Sequence, residues 1–308
     1  MSSIEAGPHL AGNVYRWHLP EQTALLVNGL VPAIRDLRRT GSISHFWFDR
    51  FDARGPHLFL LLTVSPGRLG EVRRALGEAI RHHLSEHPAS GEIGEDELAL
   101  RHRQCLGKSL CVTDAEEGFA ERDSVRWCAQ PADGYPLRLL RATSRPDEAW
   151  RIFDRLADDV LRTLGEGTSA MAAAVAWLSR LEAVLGRAWS HPSVYWRHHA
   201  ASIIRRMQTE DDMAARLAEV LGPANLDLLS RAWESESSSE GPTAAALERL
   251  LAIIPPGEHR PSETSPYTGA ALLREVVHVT LKQLALPIHR QRPLILYGWK
   301  RALDVAAG

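Results

Sequence analysis

A chain of 308 residues, 44% hydrophobic and 24% charged, has the composition of an ordinary globular protein and is long enough to bury a core. Its net charge of -2 provides no basic field for a nucleic-acid backbone, so we expect no DNA or RNA partner. There is no apolar run of the roughly 20 residues that a membrane helix needs, no signal-peptide pattern, and no disulfide framework among the three cysteines. We therefore predict a cytoplasmic protein without membrane contact.

The first part of the chain alternates strand and helix patterns. Strands are predicted from β-branched and aromatic runs, and helices from apolar residues that recur with the 3.6-residue period. In chain order these are a strand at 14–19, a helix at 20–37, strands at 43–51 and 58–64, a helix from 66, a loop at 87–97, and a strand at 124–128 or, alternatively, at 137–140. This order is typical of a split βαβ sheet.

From about residue 146 the pattern changes to helices. They are predicted at 146–164, 170–185, 192–207, 211–221, 224–233, 244–254, 269–286 and 289–305, with a Ser/Glu linker at 234–241 and a polar loop at 258–267. We therefore predict an α+β fold, in which a split βαβ-type antiparallel sheet in residues 1–145 is followed by a helical half in residues 146–308. We expect these two parts to form one compact domain.

Metal and cofactor sites lack a standard signature. His102, Cys105 and Cys111 do not have the spacing of zinc ligands, and the adjacent His198 and His199 point apart on a helix. Residues 106–109 end like a Walker A loop but lack its earlier glycine. We therefore expect no metal and no cofactor.

A histidine lies on the apolar helix predicted at 269–286. Glu275, His278 and Lys282 are three and four residues apart and share one helical face. Burial of a His and a Lys costs free energy unless they are paired or line a cavity, and His278 can exchange protons near neutral pH. His278 is therefore a candidate general acid or base. The alternative is a core histidine beside a lysine that extends to solvent.

The densest polar and aromatic cluster lies at residues 190–199. Tyr195 and Ser190 are candidate proton donors and acceptors there. The candidate contacts for a planar peptide substrate are Trp196, His198 and His199. The alternative is a helix N-cap followed by ordinary amphipathic packing.

An aromatic strand with an arginine, residues 46–51, is followed by a turn with Gly55-Pro56 and then by His57-Leu58 and a second strand. This segment resembles the hallmark of the small C-terminal domain of lanthipeptide dehydratases. That group also supplies the pyridine-forming enzymes of thiopeptide biosynthesis. The late helix with His278 resembles the family's as well, although Lys282 and Gln283 replace the residues that usually follow the histidine.

The residue patterns and the resemblance together give two groups of candidate site residues. The candidate catalytic residues are His278, Tyr195, Ser190 and Gln283. The candidate substrate-binding residues are Trp47, Asp49, Arg50, His57, Trp196, His198, His199 and Lys282. For the first strand pair, the alternative is a buried hairpin with a solvated turn.

The second strand departs from the dehydratase pattern. Phe59 and Leu61 stand where the dehydratases carry arginines, which are expected to hold the glutamate ester that leaves during elimination. This departure favours the pyridine-forming branch.

The resemblance then implies a thiopeptide macrocyclase. Such an enzyme joins two dehydroalanines of one peptide into a six-membered nitrogen heterocycle, with loss of water and of the leader peptide. Its partners would be the modified precursor peptide, leader plus core, and other enzymes that mature ribosomal peptides. Two alternatives stay open: the glutamate-eliminating half of a split dehydratase, and a non-catalytic module that binds the leader peptide.

Overall fold

A computed structural model describes residues 8–52, 55–90, 93–99, 120–128, 140, 143–188, 195–196, 199, 223–236, 241–254 and 269–307. The chain divides into two compact units. The first unit comprises Met1–Leu140 and Val160–Gly165, and the second comprises Arg141–Asp159 and Glu166–Gly308. The helix predicted at 211–221 and the loop predicted at 258–267 lie outside the described residues, as does most of the helix predicted at 192–207.

A four-stranded antiparallel sheet forms the centre of the first unit. Its strands are β1 (His9–Tyr15), β2 (Ile43–Phe51), β3 (His57–Val64) and β4 (Ser124–Cys128), in the order β2-β3-β1-β4. This order is that of a split βαβ sheet, so the predicted α+β class is confirmed. The strand predicted at 14–19 lies further upstream, because the chain leaves the sheet after Tyr15 and enters a helix at Leu19.

The central strands of this sheet, β1 and β3, are buried almost throughout. Every side chain of β3 is buried, as expected of a central strand that is covered on two sides. The register places Arg50 opposite Leu58 and Asp49 opposite Phe59, so these two neighbouring polar residues of β2 lie on opposite faces.

The helices described in the first part of the chain are α1 (Leu19–Ala24), α2 (Val31–Arg39) and α3 (Leu69–Glu86). A π-helical segment, Leu25–Leu30, joins α1 to α2, so the helix predicted at 20–37 is continuous but not uniform. Within the π-helical segment Gly29 approaches α3 closely: a Cβ atom at Gly29 would lie 3.1 Å from the Cβ atom of His83. Residues 95–99 are also helical, within the segment predicted as a loop.

A buried arginine connects four segments of the first unit. The guanidinium of Arg16 lies 3.0 Å from Glu21 and 2.6 Å from Asp123, and it donates a hydrogen bond to the backbone carbonyl of His87. The other carboxylate oxygen of Glu21 accepts hydrogen bonds from the backbone and the hydroxyl of Ser90. These contacts hold the end of β1, the start of α1, the end of α3 and the start of β4 together.

Helices make up the described part of the second unit. They are α4 (Pro146–Gly165), α5 (Ala170–Ala188), α6 (Pro223–Glu236), α7 (Pro242–Ile253), α8 (Gly269–Gln283) and α9 (Ile288–Ala307). The end of α4, Val160–Gly165, belongs to the first unit. Helix α5 is central, since α6, α7 and α9 all contact it. Its alanines suit this close packing. Within the described residues, no helix is long and apolar enough to cross a bilayer.

The sequence predicts the start of α8 but not its end. Helix α8 begins at Gly269 as predicted but ends three residues earlier than predicted. The backbone N–H of Ala285 bonds to Lys282 and that of Leu286 bonds to Leu281, which is the hydrogen-bond pattern of a Schellman turn. Ala285 has the left-handed φ of 60° that this turn requires. The usual sequence signal, a glycine at that position, is missing.

We expect the Glu21→Gln substitution to reduce stability near neutral pH. Burial alone would raise the pKa of Glu21, but the hydrogen bonds from Ser90 and the charge of Arg16 lower it below its ordinary value. A carboxyl group with a lowered folded-state pKa contributes stability above its ordinary pKa, about 4.3, and loses it as the pH falls through the folded value. Urea unfolding at several pH values should therefore give a lower free energy of unfolding for Glu21→Gln than for the parent protein near neutral pH. This difference should disappear in acid.

The matched control for this experiment is Glu78→Gln. Glu78 pairs with Arg74 at 3.5 Å on the surface of α3, where an ion pair contributes little. If Glu21→Gln lowers the free energy of unfolding by no more than Glu78→Gln does, the role assigned to Arg16 and Glu21 is contradicted.

Candidate active site

A continuous line of hydrogen bonds joins four side chains of the second unit. The hydroxyl of Tyr195 lies 2.7 Å from Nδ1 of His199. Nε2 of His199 lies 3.4 Å from Nε2 of His278, and Nδ1 of His278 lies 3.3 Å from Oε1 of Gln291. Nε2 of Gln291 donates a 2.7 Å hydrogen bond to the backbone carbonyl of Leu286. We call these four side chains the relay.

The helix end described above positions one half of the relay. His278 lies on α8, and Gln291 lies in the first turn of α9. The Schellman turn and Pro287 between the two helices fix the backbone at Leu286, because proline restricts the residue that precedes it. The carbonyl of Leu286 is therefore held in place when Gln291 reaches it.

Burial differs along the relay. Tyr195 and His199 are fully buried, with 0% exposure, and Gln291 is buried as well. His278 is half-buried. The relay therefore runs from a fully enclosed phenol to an imidazole that is partly exposed to solvent.

Burial also sets the protonation states at the two ends. It raises the pKa of Tyr195 well above its ordinary value, which the positive charge of Arg274 opposes. It lowers the pKa of His278, against the opposing effects of the Gln291 hydrogen bond and the Glu275 carboxylate. At neutral pH Tyr195 keeps its proton and His278 is uncharged, which suits one residue to donate a proton and the other to accept one.

An aromatic cluster packs against the buried end of the relay. The ring of Trp196 is nearly parallel to the imidazole of His199, at 6° with centroids 6.4 Å apart, and it also contacts Trp233. The indole N–H of Trp233 donates a 2.6 Å hydrogen bond to Glu182. A Cβ atom at Gly298 would lie 2.8 Å from two carbons of the Trp196 ring, so α9 approaches this ring as closely as a glycine permits.

The relay includes three residues that the sequence singles out and one that it does not. Tyr195, His199 and His278 are brought together, although His199 was predicted as a substrate contact and here lies between the other two. Gln291 was missed. A polar residue in the first turn of an apolar helix is a weak signal, because its partner becomes known only with the fold.

The remaining predicted residues of the second unit are not relay members. Gln283 is buried at the end of α8, Lys282 beside it is half-buried, and Trp196 is fully buried. Ser190 and His198 lie outside the described residues. The catalytic and substrate-binding roles assigned to all of these residues stay predictions.

Arg50 of the first unit is enclosed between sheet and helix. Its guanidinium donates hydrogen bonds to the side chains of Gln22, at 2.9 Å, and Thr23, at 3.0 Å, both on α1. Burial lowers the pKa of Arg50 to about 9, against the opposing effect of Asp49, so that the side chain is still charged at neutral pH. These contacts give Arg50 a structural role, and its role in substrate binding stays a prediction.

The other predicted substrate contacts of the first unit share one face of the sheet. Trp47, Asp49 and His57 are all buried. Nδ1 of His57 lies 2.9 Å from the carbonyl of Gly55, and its ring lies against Tyr15. Their role in substrate binding also stays a prediction.

A cleft of about 360 Å³ lies between the π-helical segment with α2 and the end of α3. It is lined by Asn28, Asp36, His83 and Glu86, among others, and contains none of the predicted site residues. Burial, followed by the charge of His87, lowers the pKa of His83.

Metal ligands do not converge in the described part of the chain, where no three His, Cys, Asp or Glu side chains form a group that could hold an ion. His102, Cys105 and Cys111 lie outside the described residues.

Comparison with known proteins places the chain in a family. The family model for the C-terminal domain of lantibiotic biosynthesis dehydratases matches residues 13–303. The chain belongs to this family. The family resemblance predicted from residues 46–62 and from the His278 helix is thus confirmed. A search of curated proteins gave no match.

Three solved structures share the fold of this dehydratase C-terminal family member. The pyridine synthase TbtD from thiomuracin biosynthesis has a TM-score of 0.69 at 18% identity, over 97% of this chain and 99% of its own. TsrL has a TM-score of 0.54 at 16% identity, over 96% and 94%. The tRNA-dependent lantibiotic dehydratase MibB from Microbispora sp. 107891 has a TM-score of 0.51 at 15% identity. This match covers 100% of this chain and 29% of the MibB chain. At these identities the likeness shows the fold alone.

We expect the Gly298→Ala substitution to destabilise the protein by about 1–3 kcal/mol, because the new methyl group forces the Trp196 ring to move in a packed core. Urea unfolding measures this loss. The matched control is Gly186→Ala in α5, where a Cβ atom meets no atom within 4 Å and the better helix propensity of alanine should add up to about 1 kcal/mol. Equal stabilities of the two variants would contradict the close approach of α9 to Trp196.

Proposed function

We propose that this protein closes the macrocycle of a thiopeptide. In this reaction one dehydroalanine and its neighbouring amide react as an iminol azadiene, and a second dehydroalanine supplies the other two carbons. Loss of water and then of the leader peptide converts the six-membered ring into an aromatic heterocycle. The substrate is a precursor peptide that other enzymes have already dehydrated.

The relay is the observation that carries this proposal. An amide becomes an iminol when a proton leaves its nitrogen and another reaches its oxygen, and both later eliminations also transfer protons. Tyr195 and His278 offer a protonated phenol and a neutral imidazole in one hydrogen-bonded line. Proton transfer by positioned side chains contributes about 10²–10⁴-fold to a rate.

Strand β3 supports ring closure over glutamate elimination. Phe59 and Leu61 are fully or almost fully buried and apolar, at positions where the eliminating relatives are expected to carry arginines. A departing glutamate carries negative charge, and an apolar strand gives that charge no partner. The ring-closing reaction releases water and an amide instead, and neither is charged.

Positioning supplies the larger share of the barrier reduction in this proposal. Two reacting groups that are held in the right geometry gain about 7–11 kcal/mol over the same groups free in solution. The proton relay then acts on a substrate that is already folded back on itself.

Glutamate elimination is the second candidate, because a half-buried, neutral His278 is equally suited to remove the α-proton of a glutamylated serine. Incubation with a dehydrated peptide and, separately, with a glutamylated peptide distinguishes the two reactions by mass spectrometry. Ring closure requires the dehydrated peptide and releases the leader, whereas elimination lowers the mass of the glutamylated peptide by glutamate. Leader binding without any product from either peptide would instead identify a non-catalytic binding module.

We expect Tyr195→Phe to lower kcat for ring closure by about 10²-fold, because the phenylalanine keeps the buried ring but removes the group that exchanges a proton. The release of the leader from a dehydrated peptide, followed by mass spectrometry, measures this rate. The matched control is Tyr297→Phe on α9, which also loses a phenol from a buried ring in the same unit. Unchanged turnover of a folded Tyr195→Phe protein would remove Tyr195 from the mechanism.

A further inference from the structure

One end of the relay fixes the direction of every hydrogen bond in it. The carbonyl oxygen of Leu286 can only accept, so the side-chain group of Gln291 that faces it is the NH₂ group. The oxygen of the same amide, Oε1, therefore faces His278 and can only accept from Nδ1 of that ring. A backbone atom thus sets the orientation of an amide, which sets the orientation of an imidazole.

The same reasoning extends to the buried end. If Nδ1 of a neutral His278 carries the proton, its Nε2 is an acceptor, so Nε2 of His199 has to donate. A neutral His199 that donates from Nε2 has an acceptor at Nδ1, which receives the hydroxyl proton of Tyr195. All four hydrogen bonds then point from Tyr195 towards Leu286.

We infer that Gln291 is a positioning residue, which holds His278 in the Nδ1-protonated tautomer and thereby directs the relay to carry the Tyr195 proton through His199 to Nε2 of His278. In this arrangement Tyr195 acts as a base by relay. When the oxygen of Tyr195 receives a proton, its own proton passes to Nδ1 of His199, and the Nε2 proton of His199 passes to Nε2 of His278. One proton enters at Tyr195 and one positive charge appears on His278, while the O–H bond of Tyr195 and the Nε2–H bond of His199 are replaced by N–H bonds at Nδ1 of His199 and Nε2 of His278.

This direction agrees with the surroundings of each end. A fully buried phenol is a poor acid, so Tyr195 releases its proton only as it receives another. His278 can hold the arriving charge because it is half-buried and lies near the Glu275 carboxylate, although Arg274 and Lys282 oppose that charge. The two longest bonds of the relay, 3.3 and 3.4 Å, are those of His278, and the charge that arrives on this ring would strengthen both donors.

The tautomer can be measured without any substrate. In protein labelled with ¹⁵N-histidine, long-range ¹⁵N–¹H correlation spectra distinguish a protonated ring nitrogen from a bare one. The signals of His278 are assigned among the 14 histidines by comparison with a His278→Gln variant. We expect the proton on Nδ1 of His278 and on Nε2 of His199. A proton on Nε2 of a neutral His278 would overturn the inference.

Two substitutions at the same position separate tautomer control from packing. Gln291→Leu and Gln291→Glu both lose the bond to Leu286, but a glutamate keeps an acceptor for Nδ1 of His278. We expect Gln291→Leu to shift His278 towards the Nε2-protonated tautomer and to lower kcat by about 10²-fold. We expect Gln291→Glu to keep the tautomer and to shift the acidic limb of the rate profile to higher pH, because a nearby carboxylate favours the imidazolium.

The matched control is Thr280→Val, which removes a buried hydrogen bond to the backbone of Val276 on the same helix as His278. It should leave both the tautomer and the rate unchanged. A folded Gln291→Leu protein with the parent tautomer, or both Gln291 variants with the same loss of rate and no tautomer change, would overturn the inference.

The expected effects on ring closure rest on the proposed function, whereas the expected tautomers of His278 and His199 do not. If the spectra show the expected tautomers but no dehydrated peptide is cyclised, ring closure fails and the role of Gln291 stands. If peptides are cyclised but the tautomers are reversed, the role of Gln291 fails and ring closure stands.

Discussion

A phenol and two imidazoles lie side by side in the second unit, and their burial costs free energy unless each polar atom finds a partner. The carbonyl of Leu286 supplies the fixed end that makes this possible, because it is held by the turn between α8 and α9 and accepts from Gln291. This Schellman turn requires Ala285 to adopt a left-handed φ of 60°, which costs a non-glycine residue free energy. Local backbone strain in one turn is thus part of what orders the candidate active site.

The fold could be predicted from the sequence where hydrophobic period and composition agree. The bounds of β2, the first of the two places predicted for β4, and the starts of α4, α5 and α8 match the prediction. The observed bounds differ from the predicted ones where a tertiary contact determines where an element ends. The strand β1 ends early because Arg16 turns to Glu21 and Asp123, and the π-helical segment near Gly29 leaves no trace in a pattern with a period of 3.6.

The candidate site was less accessible to sequence reasoning than the fold. Tyr195 and His199 are four residues apart on one helical face, so their contact follows from spacing alone. His278 lies 79 residues beyond His199, and Gln291 belongs to the next helix, so no local pattern connects them. Arg50 shows the opposite case: its family motif is visible in the sequence, but its hydrogen bonds to α1 are visible only in the structure.

The relay also bears on how one family can serve two reactions. Removal of an α-proton before glutamate loss and removal of an amide proton before ring closure both require a neutral base near a peptide, which His278 can be. The two reactions differ in what leaves, since glutamate is an anion and water and an amide are not. A charge-free strand with Phe59 and Leu61 is therefore compatible with the second reaction and poorly suited to the first. In the proposed function, the helical unit supplies the proton transfer and no charged leaving group has to be accommodated.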